Sequence, residues 1–360
     1  MTAPAADTLL PCAIEDQPLV IAHRGASGYV PEHTLAAYAL AIEMGADFVE
    51  PDLVMTKDGV LVARHENEIG ATTDVAERRE FACRRTGKVI DGQSIDGWFT
   101  EDFTLAELKT LRAKERIPGL RAQNRRFDGI FAVPSFAEVL DLVRGANFRF
   151  QLAAVAAGKN ERRCVGVYPE TKHPGYFRSI GLAMERPLLR LLNRGADLGT
   201  TGKVFIQSFE VGNLELLRMM TSLPLVQLMD DGGAPWDFTA AGDRRTYADL
   251  ATPEGLAGIA RYADAIGVNK NLIMPRTGAG GTLGAPTSLI ADAHAAGLAV
   301  HGWTFRAENH FLPPEFRCPG GEAAGGDLHA EIAAFLALGM DGFFTDQADI
   351  GVRARDLLRA

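Results

Sequence analysis

Four short stretches carry side chains able to do chemistry together: His23-Arg24-Gly25, Glu50-Pro51-Asp52, His65 and Glu170-Thr171-Lys172. Each ends an apolar run or returns to one. Glu50 and Asp52 are two apart, so they point to one side of an extended strand. Two carboxylates on one face repel unless something neutralises them, and a divalent cation does so. Glu170 adds a third carboxylate and no thiol. An all-oxygen set suits Mg²⁺ or Ca²⁺ better than Zn²⁺. An ion with open positions would hold a phosphate oxygen and reduce its negative charge. Arg24 and Lys172 would add positive charge around the same group, the arginine bidentately. His23 and His65 could then act as general base and general acid. Charge neutralisation plus two proton-transfer groups is what phosphodiester cleavage needs.

Spacing links two of these stretches. Asp58-Gly59 lies between Leu53–Lys57 and Val60–Ala63, a strong hairpin signal. A two-residue turn there places Asp52 opposite His65. Cross-strand partners have Cβ atoms roughly 5 Å apart.

The elements that must position these groups read as a repeated βα pattern. Candidate strands are Leu19–His23, Phe48–Asp52, Cys164–Lys172, Val204–Phe209, Leu225–Leu228, Ala265–Asn269, Ala299–Thr304 and Gly342–Asp346. Candidate helices are Glu32–Met44, Ser135–Arg144, Gly212–Thr221, Pro253–Tyr262, Pro286–Ala296 and Leu328–Leu338. Pro31-Glu32 is read as opening the first helix and Gly45 as its left-handed cap. Glu32 is then either a first-turn acid favoured by the helix dipole or a partner of Arg24 or His23. Eight βα units close a TIM (β/α)8 barrel, whose functional groups sit at the C-terminal ends of the strands. Residues 18–352 make that domain, with 66–133 as a small insertion after the strand-two hairpin. Residues 1–17 form an N-terminal tail and 353–360 the C-terminal end. Asp230–Asp249 and Met274–Ala285 read as long loops.

Composition excludes other classes. The chain has 360 residues, 47% of them hydrophobic, with 37 basic and 46 acidic side chains and a net charge of −9. That much apolar content is incompatible with general disorder. The acidic balance disfavours nucleic-acid binding. No apolar run of about 18 residues exists, so no stable membrane insertion is expected. The four cysteines, Cys12, Cys83, Cys164 and Cys318, lie too far apart for a zinc cage, and one or two disulfides remain open. The N-terminus lacks a basic start and a long apolar core. The protein is cytoplasmic if this N-terminus is native, and periplasmic or exported if a signal was removed. Leu9-Leu10-Pro11-Cys12 gives a faint lipoprotein signal.

The motifs resemble the glycerophosphodiester phosphodiesterases, in their larger, often exported branch. The resemblance rests on His23-Arg24-Gly25-Ala26, Pro31-Glu32-His33-Thr34, Gly45-Ala46-Asp47, Glu50-x-Asp52, Thr56-Lys57-Asp58-Gly59 and His65. It continues through Gly166-Val167-Tyr168-Pro169-Glu170-Thr171-Lys172, Gln207-Ser208-Phe209, Trp303-Thr304 and Gly342-Phe343-Phe344-Thr345-Asp346. It covers roughly residues 18–352. It implies hydrolysis of glycerophosphodiesters, such as glycerophosphocholine or glycerophosphoethanolamine, to sn-glycerol 3-phosphate and an alcohol. It implies metal ligation by Glu50, Asp52 and Glu170, acid–base work by His23 and His65, and phosphate contact by Arg24 and Lys172. Gln207 and Trp303 would line the glycerol side; Trp303 has a core role as the alternative. One cation, Ca²⁺ or Mg²⁺, and a small-molecule substrate follow.

Two departures stand out. Glu66 follows His65 where the family usually has Asp, and Pro51 between two expected ligands removes one strand N–H. The nucleophile is either the glycerol 2-hydroxyl, giving a cyclic phosphate that water opens, or water directly. The alternatives are a phospholipase D-like enzyme acting on lysophospholipid or sphingomyelin, and a non-catalytic binding barrel.

Overall fold

A computed structural model describes residues 9–13, 17–196, 203–278 and 280–358. The expected tail over 1–17 therefore lies partly outside the described residues. In chain order the first strands are β1 (Leu19–His23), β2 (Phe48–Glu50), β3 (Asp52–Met55) and β4 (Leu61–Ala63). A separate hairpin follows, β5 (Thr86–Ile90) with β6 (Gln93–Gly97). Then come β7 (Gly166–Val167), β8 (Glu170–Thr171), β9 (Ile206–Ser208), β10 (Leu225–Met229) and β11 (Ala265–Asn269). A short ladder, β12 (Arg276–Thr277) with β13 (Thr282–Leu283), precedes β14 (Ala299–Phe305) and β15 (Gly342–Thr345).

Parallel pairing closes these strands into a ring. β1 pairs with β15 on one side and β2 on the other. β2 and β3 are one strand interrupted at Pro51, and β7 and β8 are its neighbour interrupted at Tyr168-Pro169; β2 pairs with β7 and β3 with β8. From β8 the ring runs through β9, β10, β11 and β14 back to β15. The fold is an α/β barrel of eight parallel staves. Proline without an N–H explains the break at Pro51.

Two-residue alternation along the staves sets what faces inward. At the floor and middle, Ile21, Phe48, Tyr168, Val226, Ala265 and Phe344 form a buried inner cluster, with Leu19, Phe205, Ala299 and Trp303 packed against it. The outward faces meet the helices in a second, larger core. Following the inward series toward the C-terminal ends gives His23, Glu50 and Asp52, Glu170 and Lys172, Gln207 and Phe209, Asp230, Asn269, Trp303 and Asp346. The barrel thus changes from apolar to polar along one set of positions.

Several expectations need correction. The first helix is Leu35–Glu43, with the Thr34 side chain accepting from the Ala37 N–H as its cap; a hydroxyl outcompetes Pro31 as the start signal. Glu32 is therefore not in a first helical turn. The helix expected over Ser135–Arg144 runs over Phe136–Ala156, passing through Gly145. The segments after β8 contain two unanticipated helices, Pro174–Ser179 and Glu185–Ala196. Asp230–Asp249 contains the short helices Trp236–Ala241 and Tyr247–Leu250. Met274–Ala285 carries the β12–β13 ladder, residue 279 lying outside the described residues.

The β3–β4 hairpin is also out by one. Leu53 pairs with Ala63 and Met55 with Leu61, so Asp52 faces Arg64, whose N–H donates to the Asp52 carbonyl. The favoured two-residue hairpin turns need left-handed backbone at the first central position, here Asp58, and in one form at both. Here only Gly59 is left-handed, at φ 77°, while the Thr56 hydroxyl donates to Asp58 and accepts from the Val60 N–H. The loop is longer by one residue, and His65 stands one step beyond Asp52.

Cys12 and Cys164 form a disulfide, which removes Cys12 from any lipidation; Cys83 and Cys318 are free and exposed. Cys164 lies just before β7, at the barrel floor. Among the described residues, no helix is long and apolar enough to cross a membrane.

Candidate active site

β1 ends in a sharp reversal. Arg24 and Gly25 both adopt left-handed backbone, at φ 60° and 88°. A Cβ at Gly25 would lie 2.7 Å from the Ala37 carbonyl carbon, so no larger residue fits this turn. The reversal aims the Arg24 N–H at Glu50, 2.8 Å from Oε2.

Glu50, Asp52 and Glu170 converge as the alternation requires. One carboxylate oxygen from each lies within 4.8 Å of the others, and all three residues are buried. Asp52 and Glu170 are direct register partners. Lys172 Nζ lies 2.8 Å from Glu170 and 3.9 Å from Asp52. Arg24 Nε lies 3.3 Å from Asp52 and its Nη1 donates to Glu32 at 3.0 Å. Gln207 donates to Glu50 at 3.0 Å, and its own buried Oε1 has no hydrogen-bond partner among the described residues.

The protonation pattern follows from burial and these neighbours. Burial raises the Glu50 carboxyl well above its usual range, and Asp52 and Glu170 push it further. Burial pushes Glu170 up to about 8 against the pull of Lys172. Burial also opposes charge on Asp52, but Lys172 and a hydrogen bond from His33 outweigh it, so this carboxyl sits well below its usual range. Three acids face two fixed cations, Arg24 and Lys172. Fully ionised, the group carries one excess negative charge. The oxygen-only donor set and that excess charge fit a hard divalent ion.

The two histidines flank the same opening. The His23 Nδ1 meets Asp346 Oδ1 at 2.6 Å, and the His65 Nδ1 meets Glu66 Oε1 at 2.5 Å. Both carboxylates accept, so each ring carries its proton on Nδ1 and keeps Nε2 as an acceptor. Burial, reinforced by Arg24, brings the His23 ring down to about 4 and the His65 ring to about 3. Glu66 orients His65 and is no member of the acidic trio, which gives the Asp-to-Glu departure a physical place.

His23, Arg24, Glu50, Asp52, His65, Glu170, Lys172, Gln207 and Trp303 all line one cavity of about 550 Å³. Trp303 does so while its indole N–H donates to the Gly267 carbonyl and its ring packs on Phe209. Trp303 thus serves both as wall and as packing. Glu32 lies against Arg24, not in a helix turn. Of the other histidines, His301 meets Tyr168 inside the barrel, His173 meets Asp91, and His310 reaches the cavity edge.

Other residues of this site went unread in the sequence. His33 is fully buried and its Nε2 meets Asp52 at 2.9 Å. Asp230, Asn269 and Phe209 share the cavity wall and were available from the inward alternation. Arg116 and Arg121, on the insertion, gave no local signal.

The fold and the mouth chemistry are those of an α/β-barrel hydrolase. A model of the glycerophosphoryl diester phosphodiesterase family matches residues 23–350. A glycerophosphodiester phosphodiesterase from Arabidopsis thaliana, GDPD6, is 35% identical over 343 residues, covering 92% of this chain and 84% of that one. One from Haemophilus influenzae is 30% identical over 355 residues, covering 93% and 88%. Among solved structures, one from Silicibacter pomeroyi superposes with a TM-score of 0.65 at 22% identity, covering 96% and 95%. An Oleispira antarctica phosphodiesterase, in complex with the product sn-glycerol-3-phosphate, gives 0.57 at 17%, covering 94% and 97%. This chain belongs to the glycerophosphoryl diester phosphodiesterase family.

Proposed function

We propose that the chain hydrolyses glycerophosphodiesters, such as glycerophosphocholine or glycerophosphoethanolamine, to sn-glycerol 3-phosphate and an alcohol. The observation that carries this reading is the convergence of Glu50, Asp52 and Glu170 between two Nδ1-anchored histidines. Those three carboxylates would hold one Ca²⁺ or Mg²⁺. When bound, the ion withdraws charge from the phosphate and turns the local excess from one negative to one positive, matching a singly charged diester.

Arg24 binds a non-bridging phosphate oxygen from one side and Lys172 from the other. Gln207 and Trp303 bound the glycerol end. One histidine accepts a proton at Nε2 from the nucleophile. The other takes up a proton at Nε2 when the anionic phosphate stands beside its ring and gives it to the leaving alcohol, with Glu66 or Asp346 stabilising the imidazolium meanwhile. The cavity wall is mostly charged and amide side chains, which suits a small polar diester better than an acyl chain. The Cys12–Cys164 disulfide supports an oxidising, exported location over a cytoplasmic one.

The test is release of sn-glycerol 3-phosphate from glycerophosphocholine, with chelator and with Ca²⁺ or Mg²⁺ restored; activity indifferent to exhaustive chelation removes the ion. His23→Ala and His65→Ala should each lower turnover by about 10²–10⁴-fold.

A further inference from the structure

Outside the cavity wall, one segment of the insertion contacts the machinery twice. Arg116 chelates two carboxylates. Its Nε and Nη2 reach Glu32 at 2.8 and 2.7 Å, and its Nη1 and Nη2 reach Glu66 at 2.8 and 2.7 Å. Glu66 is the residue that holds His65, and Glu32 the one that holds Arg24. Five positions later, Arg121 Nη2 reaches Asp346 at 2.6 Å, Nε reaches Glu308 at 2.5 Å, and Nη1 donates to the Ser27 carbonyl at 2.9 Å. Asp346 is the residue that holds His23. The segment is itself stiffened: the Ile117 N–H donates to Glu115, Arg121 N–H to the Ile117 carbonyl, and Glu115 also accepts from Asn124.

We propose that Arg116 and Arg121 are positioning residues, each acting through a carboxylate to fix the ring of one histidine. The inference rests on the assignment of His23 and His65 as the proton-transfer pair. Glu66 and Asp346 have two duties: they must stay ionised, and they must hold still. A guanidinium on the far side of a carboxylate favours its charged form and fixes its position; Arg116 forks both Glu66 oxygens, whereas Arg121 holds Asp346 through Nη2 alone while its fork sits on Glu308. An ionised carboxylate can only accept, so the imidazole must present its proton at Nδ1 and its lone pair to the cavity. The two sides are not equal. Asp346 also receives Arg306 at 2.9 Å. Glu66, by contrast, has side-chain hydrogen bonds only to His65 and Arg116 among the described residues. Removing Arg116 should therefore free its histidine more completely. A purely structural role would not need both arginines to end on histidine-bearing carboxylates, and buried ion pairs are by themselves weak stabilisers.

The experiment uses the full chain loaded with Mg²⁺ or Ca²⁺, assayed on glycerophosphocholine, with Arg116→Gln, Arg121→Gln, Glu66→Gln and the double variant Arg116→Gln/Glu66→Gln. Arg116→Gln should lower kcat by roughly 10–100-fold, as loss of a supporting partner does elsewhere. Added to Glu66→Gln, it should lower kcat by less than about threefold more, because both act on one ring. Losses that multiply independently, or a single variant within about threefold of wild type, overturn the proposal. If Arg121→Gln melts, Arg116→Gln decides, since its side chain is 25% exposed and its site tolerates change better. A second readout needs no turnover. The low-field proton resonance of the His65 Nδ1–H should broaden or vanish in Arg116→Gln; an unchanged resonance overturns the proposal. Absence of turnover in the wild-type protein would instead sink the hydrolase reading, with the resonance still deciding this one.

Discussion

His33 Nε2 sits 2.9 Å from Asp52 Oδ2 while its Nδ1 sits 2.7 Å from the Tyr38 hydroxyl. One tautomer satisfies both contacts: Tyr38 donates to Nδ1, and Nε2–H donates to the carboxylate. The ring is fully buried and its backbone is left-handed at φ 52°, a conformation that costs a β-carbon residue of order 1 kcal/mol or more. The fold accepts this cost where it fixes an expected ion ligand. His33→Ala should weaken divalent-cation binding about 10–100-fold by calorimetry, with Tyr38→Phe weaker in effect. Unchanged affinity in His33→Ala would separate this ring from the ion.

Glu50 and Glu170 retain protons above the ordinary carboxylate range. Between the unfolded value near 4.5 and the folded value near 8 for Glu170, the folded state binds more protons than the unfolded one. The Glu170 contribution to stability of the ion-free protein therefore falls as pH rises, and it stands clear of the buried histidines His23 and His65, whose lowered values act in the opposite direction, only above about pH 7 where those rings are neutral in both states. An ion held by these carboxylates would displace those protons, so its affinity should rise over the same interval and its binding should release protons to buffer. Melting of chelated protein from pH 7 to 8, with and without Mg²⁺ or Ca²⁺, checks the sign. A chelated protein that grows more stable toward pH 8 contradicts it.

Arg24 combines a left-handed backbone, a carboxylate on its Nη1 and a place on the cavity wall. Lysine keeps the charge but loses the fork. Arg24→Lys should raise KM about tenfold or more for glycerophosphocholine, in line with a charged hydrogen bond of about 1.5–3 kcal/mol. A KM unchanged in steady-state kinetics would remove Arg24 from phosphate contact.

The Cys12–Cys164 link lies at the end of the barrel away from the cavity. Its loss, by Cys12→Ser with Cys164→Ala, should cost roughly 2–5 kcal/mol of stability yet leave kcat near wild type. Denaturant melts and kinetics at 25 °C separate these effects; a large drop in kcat of the folded variant would tie the floor to the mouth.

What the sequence disclosed followed from periodicity. His23, Glu50, Asp52, Glu170 and Gln207 are legible because two-residue alternation in a closed barrel carries them inward at the same height. The hairpin register escaped because Asp58-Gly59 is a turn signal in more than one loop length, and the Thr56–Asp58 bond selects the longer one. His33 escaped because Pro31-Glu32 reads as a helix start, whereas the Thr34 hydroxyl caps the helix and frees the preceding residues to turn inward. Arg116 and Arg121 have no local signature. Their partners lie 50 to 225 positions away along the chain, and only the folded insertion brings them near.

The strap formed by Leu10 to Ala13 bonds to Gln151 and Arg162 beneath the staves. A linker grafted ahead of it would emerge on the underside. Protein moored to a bead or sensor chip through that end should keep its entrance turned to bulk liquid and work at the rate of free enzyme, whereas random lysine coupling should not.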